Sequence, residues 1–158
     1  MLERAAVKRE RDPAGTRRRL VDATVRLILK QGFAATTLDQ ICEESGLTKG
    51  SFFHHFKNKA AVGKAAVEWW GAFGTSLYAE AWKDAGLDPL EQIHRVLDIM
   101  AGFTRRPDEV CTCVVGMLSQ ELAQSHPAMR EACARQLDIW TGNVARMLTA
   151  ARKRHQPK

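Results

Sequence analysis

Residues 36–59, TTLDQICEESGLTKGSFFHHFKNK, hold a helix start, a glycine turn and a second helix start in close succession. Thr37 is a capping residue, and Gln40, three positions on, completes a capping box. Leu38 and Ile41 then share one helix face. Gly46 supplies the left-handed residue that ends a helix without strain. Thr48 caps a second helix, and Asn58, just before Lys59, caps a third. Two short helices joined by a tight turn containing glycine form a helix-turn-helix.

The rest of the chain is read around that unit. Residues 1–15 read as a disordered basic arm ending in Asp12-Pro13-Ala14-Gly15. From Thr16 to Gln31, Leu20, Ala23, Leu27 and Ile28 recur at helical spacing, and Gly32 stops the helix. With the helix-turn-helix this makes a three-helix, homeodomain-like domain over residues 16–58. Its expected core is Leu20, Leu27, Phe33, Leu38, Ile41, Leu47, Phe52 and Phe56. A long helix is expected from Lys59 to Trp82, kinked or closely packed at Gly63, Gly71 and Gly74. Asp88-Pro89 opens a helix to Thr104, with Ile93, Val96, Leu97 and Met100 inward. A shorter helix spans Cys111 to Gln124. The last runs from Pro127 to Lys153, with Leu137, Trp140, Val144 and Met147 on one side. Nothing reads as strand, so the chain is expected to be all-α, with residues 59–158 forming a helical ligand-binding and dimerisation domain.

Charge is distributed unevenly. The formal total is +6, and residues 1–35 carry nine Lys/Arg against four Asp/Glu. A basic end beside a helix-turn-helix is the electrostatic footprint of phosphate binding, although a solvated basic surface has the same composition. No apolar stretch reaches membrane-spanning length, and the charged N-terminus does not read as a secretory signal, so a cytoplasmic protein is expected. Cys42, Cys111, Cys113 and Cys133 are then reduced thiols.

Helical spacing divides the second motif helix into two faces. Phe52 and Phe56 point inward; Lys49, Ser51, Phe53, His54 and His55 lie on or near the other faces. A helix in the major groove needs polar side chains that reach base edges and an apolar surface for thymine methyls. Lys49 can donate to guanine, Phe53 can pack on a thymine methyl, and His54 can donate to a base or phosphate. Thr37, Thr48 and Lys59 stand at helix N-termini, where backbone amides, hydroxyls and an ammonium can grip phosphates. Taken singly, a histidine here is an ordinary surface residue and Phe53 a core one. The constellation is what points to DNA.

These stretches, TRRRLVDATVRLILKQGF at residues 16–33, TTLDQICEESGLTKGSFFHHF at 36–56 and KNK at 57–59, resemble the N-terminal domain of the TetR family of bacterial repressors. The resemblance implies a helix-turn-helix regulator, not an enzyme, whose C-terminal helices bind an effector and form a homodimer. It carries Lys49, Ser51, Phe53 and His54 onto groove-facing positions, and Thr37, Thr48, His55 and Lys59 onto backbone-binding ones. Phe53 stands where the family more often has Tyr, Cys42 where a small residue is usual, and Ala60 where an acid is common. The family usually has two more helices after the one that starts at Pro127, so a shortened C-terminal domain is expected.

Trp69, Trp70, Phe73, His94, Met100, Phe103, Cys111, Met117 and Trp140 are the candidate lining of an effector pocket, though aromatic stripes at helical spacing are also what a plain core looks like. Tyr78, Gln120 and His126 are further polar groups for orienting a small molecule. Cys111 and Cys113, at the start of a helix, are candidate reactive thiols. A metal site from Cys111, Cys113, His126 and Cys133 matches no recognised zinc spacing, and neither metal nor cofactor is expected. The leading expectation is a repressor released from an operator on double-stranded DNA by a small-molecule or thiol-reactive effector. The alternative is a shortened relative that acts as a protein-interaction module and binds DNA weakly. No phosphate-binding glycine loop or catalytic motif favours an enzyme.

Overall fold

The computed structural model describes residues 12–83, 86–105, 112–122 and 124–156, except the side chain of Thr104. Its described residues form eight α-helices and no strand.

The first helix, α1, runs Pro13–Gln31. It begins earlier than the sequence reading placed it. The Asp12 carboxylate accepts from the Gly15 amide at 2.9 Å, and Pro13 occupies the first helical turn, where its missing N–H costs nothing. Asp12 to Gly15 are therefore a cap and a first turn, not the end of an arm; residues 1–11 of that arm lie outside the described residues. Gly32, with φ 83°, closes α1.

The motif helices are α2, Leu38–Ser45, and α3, Lys49–His55. The capping box is present, with the Gln40 amide donating to Thr37 Oγ1 at 3.2 Å and the Thr37 amide donating to Gln40 Oε1 at 2.9 Å. Gly46 ends α2 in the left-handed conformation (φ 63°, ψ 35°). Thr48 caps α3 by accepting from the Ser51 amide at 3.1 Å. Leu20, Leu27, Ile41, Phe52 and Phe56 form a core with Val62 and Ala65, while Leu38 and Leu47 sit half-buried at its edge.

Asn58 caps α4, Lys59–Leu77, accepting from the Ala61 amide at 2.9 Å. The single helix expected to reach Trp82 is divided at Tyr78, whose ψ of 3° cannot continue the spiral, and α5 follows at Ala79–Lys83. The glycines of α4 are not alike. A methyl on Gly63 would meet the Phe33 ring and Met129, and one on Gly71 would meet Gln136, whereas Gly74, four residues before the break, has open space beside it.

Beyond this lie α6, Pro89–Thr104, α7, Val114–Leu122, and α8, Pro127–His155. The helix expected from Cys111 begins instead at Val114, where the Cys113 carbonyl accepts the first intrahelical bond from Met117 at 2.9 Å. Cys111 lies outside the described residues. Helix α4 packs on α1, α7 and α8, and α6 packs on α8. Leu97, Met100 and Leu137, expected inward, are exposed; the apolar stripes of α6 and α8 are wider than the seam between those helices, where Val96 and Met147 are buried.

Phe33 is buried, but not in the three-helix core. It joins Val25 and Ile28 of α1 to Ala66 and Val67 of α4 and to Val114, Leu118, Met129 and Cys133 of α7 and α8. One apolar cluster thus runs from the first helix into the last.

Candidate nucleic-acid interface

Helix α3 is anchored by two rings and open on its other side. Phe52 is fully buried and Phe56 nearly so, with ring centroids 5.9 Å apart, against Leu20, Ile41 and Val62. Burying two phenylalanines is enough to fix a seven-residue helix that would not hold by itself in water. The anchoring leaves Lys49, Gly50, Phe53 and His54 exposed and Ser51 and His55 half-buried. Phe53 is 54% exposed, touching the Phe52 ring on one side and open to solvent on the other. The His54 and His55 rings meet edge to face at 5.0 Å.

Thr37 and Thr48 are exposed beside this surface. Each hydroxyl oxygen already accepts a backbone amide, which fixes the side chain, and the Thr37 hydroxyl also donates to Gln40 Oε1 at 3.2 Å. The Thr48 hydroxyl also lies 3.3 Å from Ser51 Oγ.

Lys49 Nζ forms an ion pair with Asp39 Oδ1, in the first turn of α2, at 2.6 Å. Asp39's hydrogen bond and charge raise the Lys49 pKa above its ordinary value. Both side chains are well exposed, so water screens the pair and the ammonium can change partners at small cost. Asp39 was not visible as a site residue from sequence: an acid in a first turn reads as a complement to the helix dipole. Burial, with Asp39 adding to it, pushes the Cys42 thiol up, which fits a packing role.

Lys59 departs from its expected role. Its ammonium does not project toward solvent. It donates to the carbonyls of Phe33 and Thr36, each at 2.7 Å, and of Ala34 at 3.3 Å, and stands 4.4 Å from the centre of the Phe33 ring. The turn between α1 and α2 leaves these carbonyls without helical partners, and the ammonium satisfies them. Desolvation there lowers the Lys59 pKa, and the nearby charge of Glu121 works against that shift. Lys59 therefore braces the turn and offers no free charge to a phosphate. The opposite edge of the turn is held by Glu121 of α7, which accepts from the Phe33 amide at 2.8 Å and the Ala34 amide at 2.5 Å. No local pattern marks Glu121, which is 88 positions from Phe33.

The candidate effector residues are only partly brought together. Trp69 and Phe73 stack at 5.6 Å with planes 7° apart, and Trp70 lies 5.6 Å from the same Phe73 ring. Trp69 and Trp70 pack on the cluster that contains Phe33, and the Arg18 guanidinium lies 4.8 Å from the Trp69 ring. Phe103, Met117 and Trp140 are half-buried, while His94 and Met100 are exposed on α6. One surface cleft is lined by Arg17, Arg18, Glu68 and Trp69, and another, between α4 and α8, by Gly71, Thr75, Gln136 and Ile139. Of the eight described candidates, Trp69 alone borders either cleft, so these two do not form the expected pocket. Of the further polar groups, Gln120 and His126 are exposed. Burial pushes the Tyr78 hydroxyl pKa up.

Cys113 is exposed and free, whereas Cys133 is buried, a setting that raises its thiol pKa although Ser119 bonds to it. Among the described residues no three His, Cys, Asp or Glu side chains gather as a metal site would require. No described helix is long and apolar enough to cross a membrane.

Comparison with known proteins adds to this geometry. Residues 20–66 match the family described as bacterial regulatory proteins, tetR family, and residues 89–156 match the LmrA/YxaF-like transcriptional regulator C-terminal domain. YxaF, an HTH-type transcriptional regulator of Bacillus subtilis, is 31% identical over 134 residues, covering 84% of this chain and 70% of its own length. The transcriptional regulator AcuR of Cereibacter sphaeroides is 28% identical over 139 residues, covering 84% of this chain and 60% of its own. The chain thus spans less than two thirds of AcuR. Among solved structures, a regulatory protein TetR from Rhodobacter sphaeroides superposes with a TM-score of 0.73 at 28% identity, over 87% of this chain and 73% of that one. Reduced NemR of E. coli has the same fold, with a TM-score of 0.79 at 23% identity over 89% of this chain and 73% of its own.

Proposed function

The chain belongs to the TetR family of bacterial regulatory proteins, and from that premise we propose that it is a DNA-binding transcriptional repressor released by a small-molecule or thiol-reactive effector. One observation carries the DNA-binding reading. The short helix α3 presents Lys49, Phe53 and His54 outward while Phe52 and Phe56 hold it to the helices behind. In a major groove, Lys49 exchanges Asp39 for guanine O6 and N7, Phe53 meets a thymine methyl, and His54 reaches a base or the backbone. Ser51 lies on the same helix. Thr37, Thr48 and His55 contact phosphates alongside, with the backbone amides at the start of α2.

The repressor works as a homodimer, since two recognition helices on one two-fold axis read two half-sites. Exposed Leu137, Ile139 and Leu148 on α8 supply apolar surface for association. An effector acts by favouring a geometry in which the two recognition helices no longer match the groove spacing. The stacked Trp69, Trp70 and Phe73 and the half-buried Phe103, Met117 and Trp140 are the side chains that favour an apolar ligand in the C-terminal helices. Exposed Cys113 favours a thiol-reactive one. The protein works in the cytoplasm, where the operator is.

The test is selection of bound duplexes from a random DNA pool, with the mass in solution measured beside it. A palindromic consensus, a dimer mass and a steep fall of affinity with salt are expected. Failure to enrich any sequence, with a monomer mass and weak uniform binding, would favour the interaction-module reading.

A further inference from the structure

The turn between α1 and α2 is short of internal partners for its amides. The Gly32 amide still bonds to the Ile28 carbonyl at 2.9 Å, and the Thr36 amide bonds to the Phe33 carbonyl at 3.1 Å. Between them, the amides of Phe33 and Ala34 donate to Glu121, one to each carboxylate oxygen. A carboxylate is the side chain that can accept both at once with charge assistance. On the other edge the Lys59 ammonium takes the carbonyls of Phe33, Ala34 and Thr36. Gly32 enters the turn at φ 83°, with Glu121's oxygens 3.4 Å from where a methyl would stand. The next residue after this clamp is Thr37, the cap of α2.

We propose that Glu121 is a positioning residue for DNA reading. Bonded from α7, it fixes the turn that launches α2, and so the angle at which α2 and α3 present Lys49, Phe53 and His54. The inference rests on the DNA-binding reading above. A fixed angle matters for a matched operator, where several base edges must be met together. It matters little on unrelated DNA, where contacts to phosphates tolerate a range of orientations. Glu121 therefore contributes to the ratio between specific and non-specific affinity, which a residue needed only for folding does not.

Glu121→Gln tests it. The amide keeps one acceptor oxygen but sets an NH2 group against the second backbone N–H, so one amide loses its partner. Expected are unchanged helicity, exchange of the Phe33 and Ala34 amide hydrogens faster by about tenfold, and an affinity for the selected duplex lower by about tenfold. Affinity for an unrelated duplex should stay within about twofold of the unmodified chain's. Met147→Ala, a core truncation in the separate cluster between α6 and α8, is the control: it should lower the melting temperature without moving the ratio. If Glu121→Gln does not fold, Glu121→Asp, which keeps the charge but reaches less far, takes its place with the same expected split. An unmoved ratio in a folded variant, while the unmodified chain binds its selected duplex, overturns the role of Glu121 and leaves the repressor reading intact. Failure of the unmodified chain to select any duplex overturns that reading and this inference with it.

Discussion

Phe52 and Phe53 are consecutive residues whose rings meet edge to face at 5.4 Å, yet Phe52 is fully buried and Phe53 is 54% exposed. One residue holds the helix and its neighbour faces outward, so the two substitutions should separate. Phe52→Ala should cost about 3–5 kcal/mol of stability, seen as an earlier urea midpoint. Phe53→Ala should leave the midpoint within about 0.5 kcal/mol of its original value but weaken binding to the selected duplex. Equal destabilisation by both would remove Phe53 from the reading surface.

The Asp39–Lys49 pair leads to a second expectation, because Lys49 must leave that carboxylate to reach a base. Asp39→Asn should raise affinity for all duplexes, since it removes a negative charge facing phosphates, and should narrow the gap between matched and unmatched ones. Lys49→Ala should relax preference at one position of the half-site by roughly tenfold, read by repeating the selection. A consensus unchanged by Lys49→Ala would mean that Lys49 touches no base.

Two glycines of α4 should respond in opposite senses. At Gly63 a methyl would come within 2.5 Å of the Phe33 ring and 2.8 Å of Met129, so Gly63→Ala should destabilise by about 1–3 kcal/mol. At Gly74 nothing lies within 4 Å, and Gly74→Ala should stabilise the helix by about 0.5–1 kcal/mol. Thermal melts of the two variants are sufficient to check this.

Asp88 predicts a response to acid. Its carboxylate caps α6 by accepting from the Leu90 amide at 2.9 Å, and it lies 2.8 Å from His155 and 3.0 Å from Arg154 at the far end of α8. The Leu90 amide first, then these partners, hold its pKa below the ordinary 3.8. The folded chain thus binds this proton less readily than the unfolded chain. Its contribution is complete above pH 3.8 and is lost as the pH falls through the lower folded value. Asp88→Asn should flatten that acid limb in urea titrations; a limb of unchanged steepness would assign the loss to other carboxylates.

Cys113 is the exposed thiol among the described cysteines, while Cys42 and Cys133 are buried with their pKa values raised. N-ethylmaleimide should modify Cys113 well before the buried pair, as peptide masses will show. If thiol chemistry releases the operator, Cys111→Ser/Cys113→Ser should bind DNA normally and resist release. Release that persists in the double variant would leave a non-covalent effector as the trigger.

Legibility from sequence followed the range of each interaction. The helix starts at Leu38, Lys49, Lys59 and Pro89 each depend on the residue just before them capping an amide two or three positions further on, and all could be placed from the chain alone. The two faces of α3 followed from spacing for the same reason. The start at Pro13 carried an equally local signal in Asp12, hidden by the charged residues before it. What could not be read depends on distant partners. Lys59 turns inward because carbonyls 23 to 26 positions earlier need donors, and Glu121 meets amides 87 and 88 positions away. The outward Leu97 and Met100 depend on how much of α6 the neighbouring α8 covers, which periodicity does not report.

Phe33 belongs by sequence to the first three helices and by packing to the last two. A fragment severed after Asn58 would carry that ring with Val25 and Ile28 but without the aliphatic side chains that now surround it. It would expose that ring to water, and stickiness would be the result. The recognition unit of this protein is therefore not a portable cassette: transplanted onto another scaffold, it needs a host that rebuilds the floor beneath Phe33.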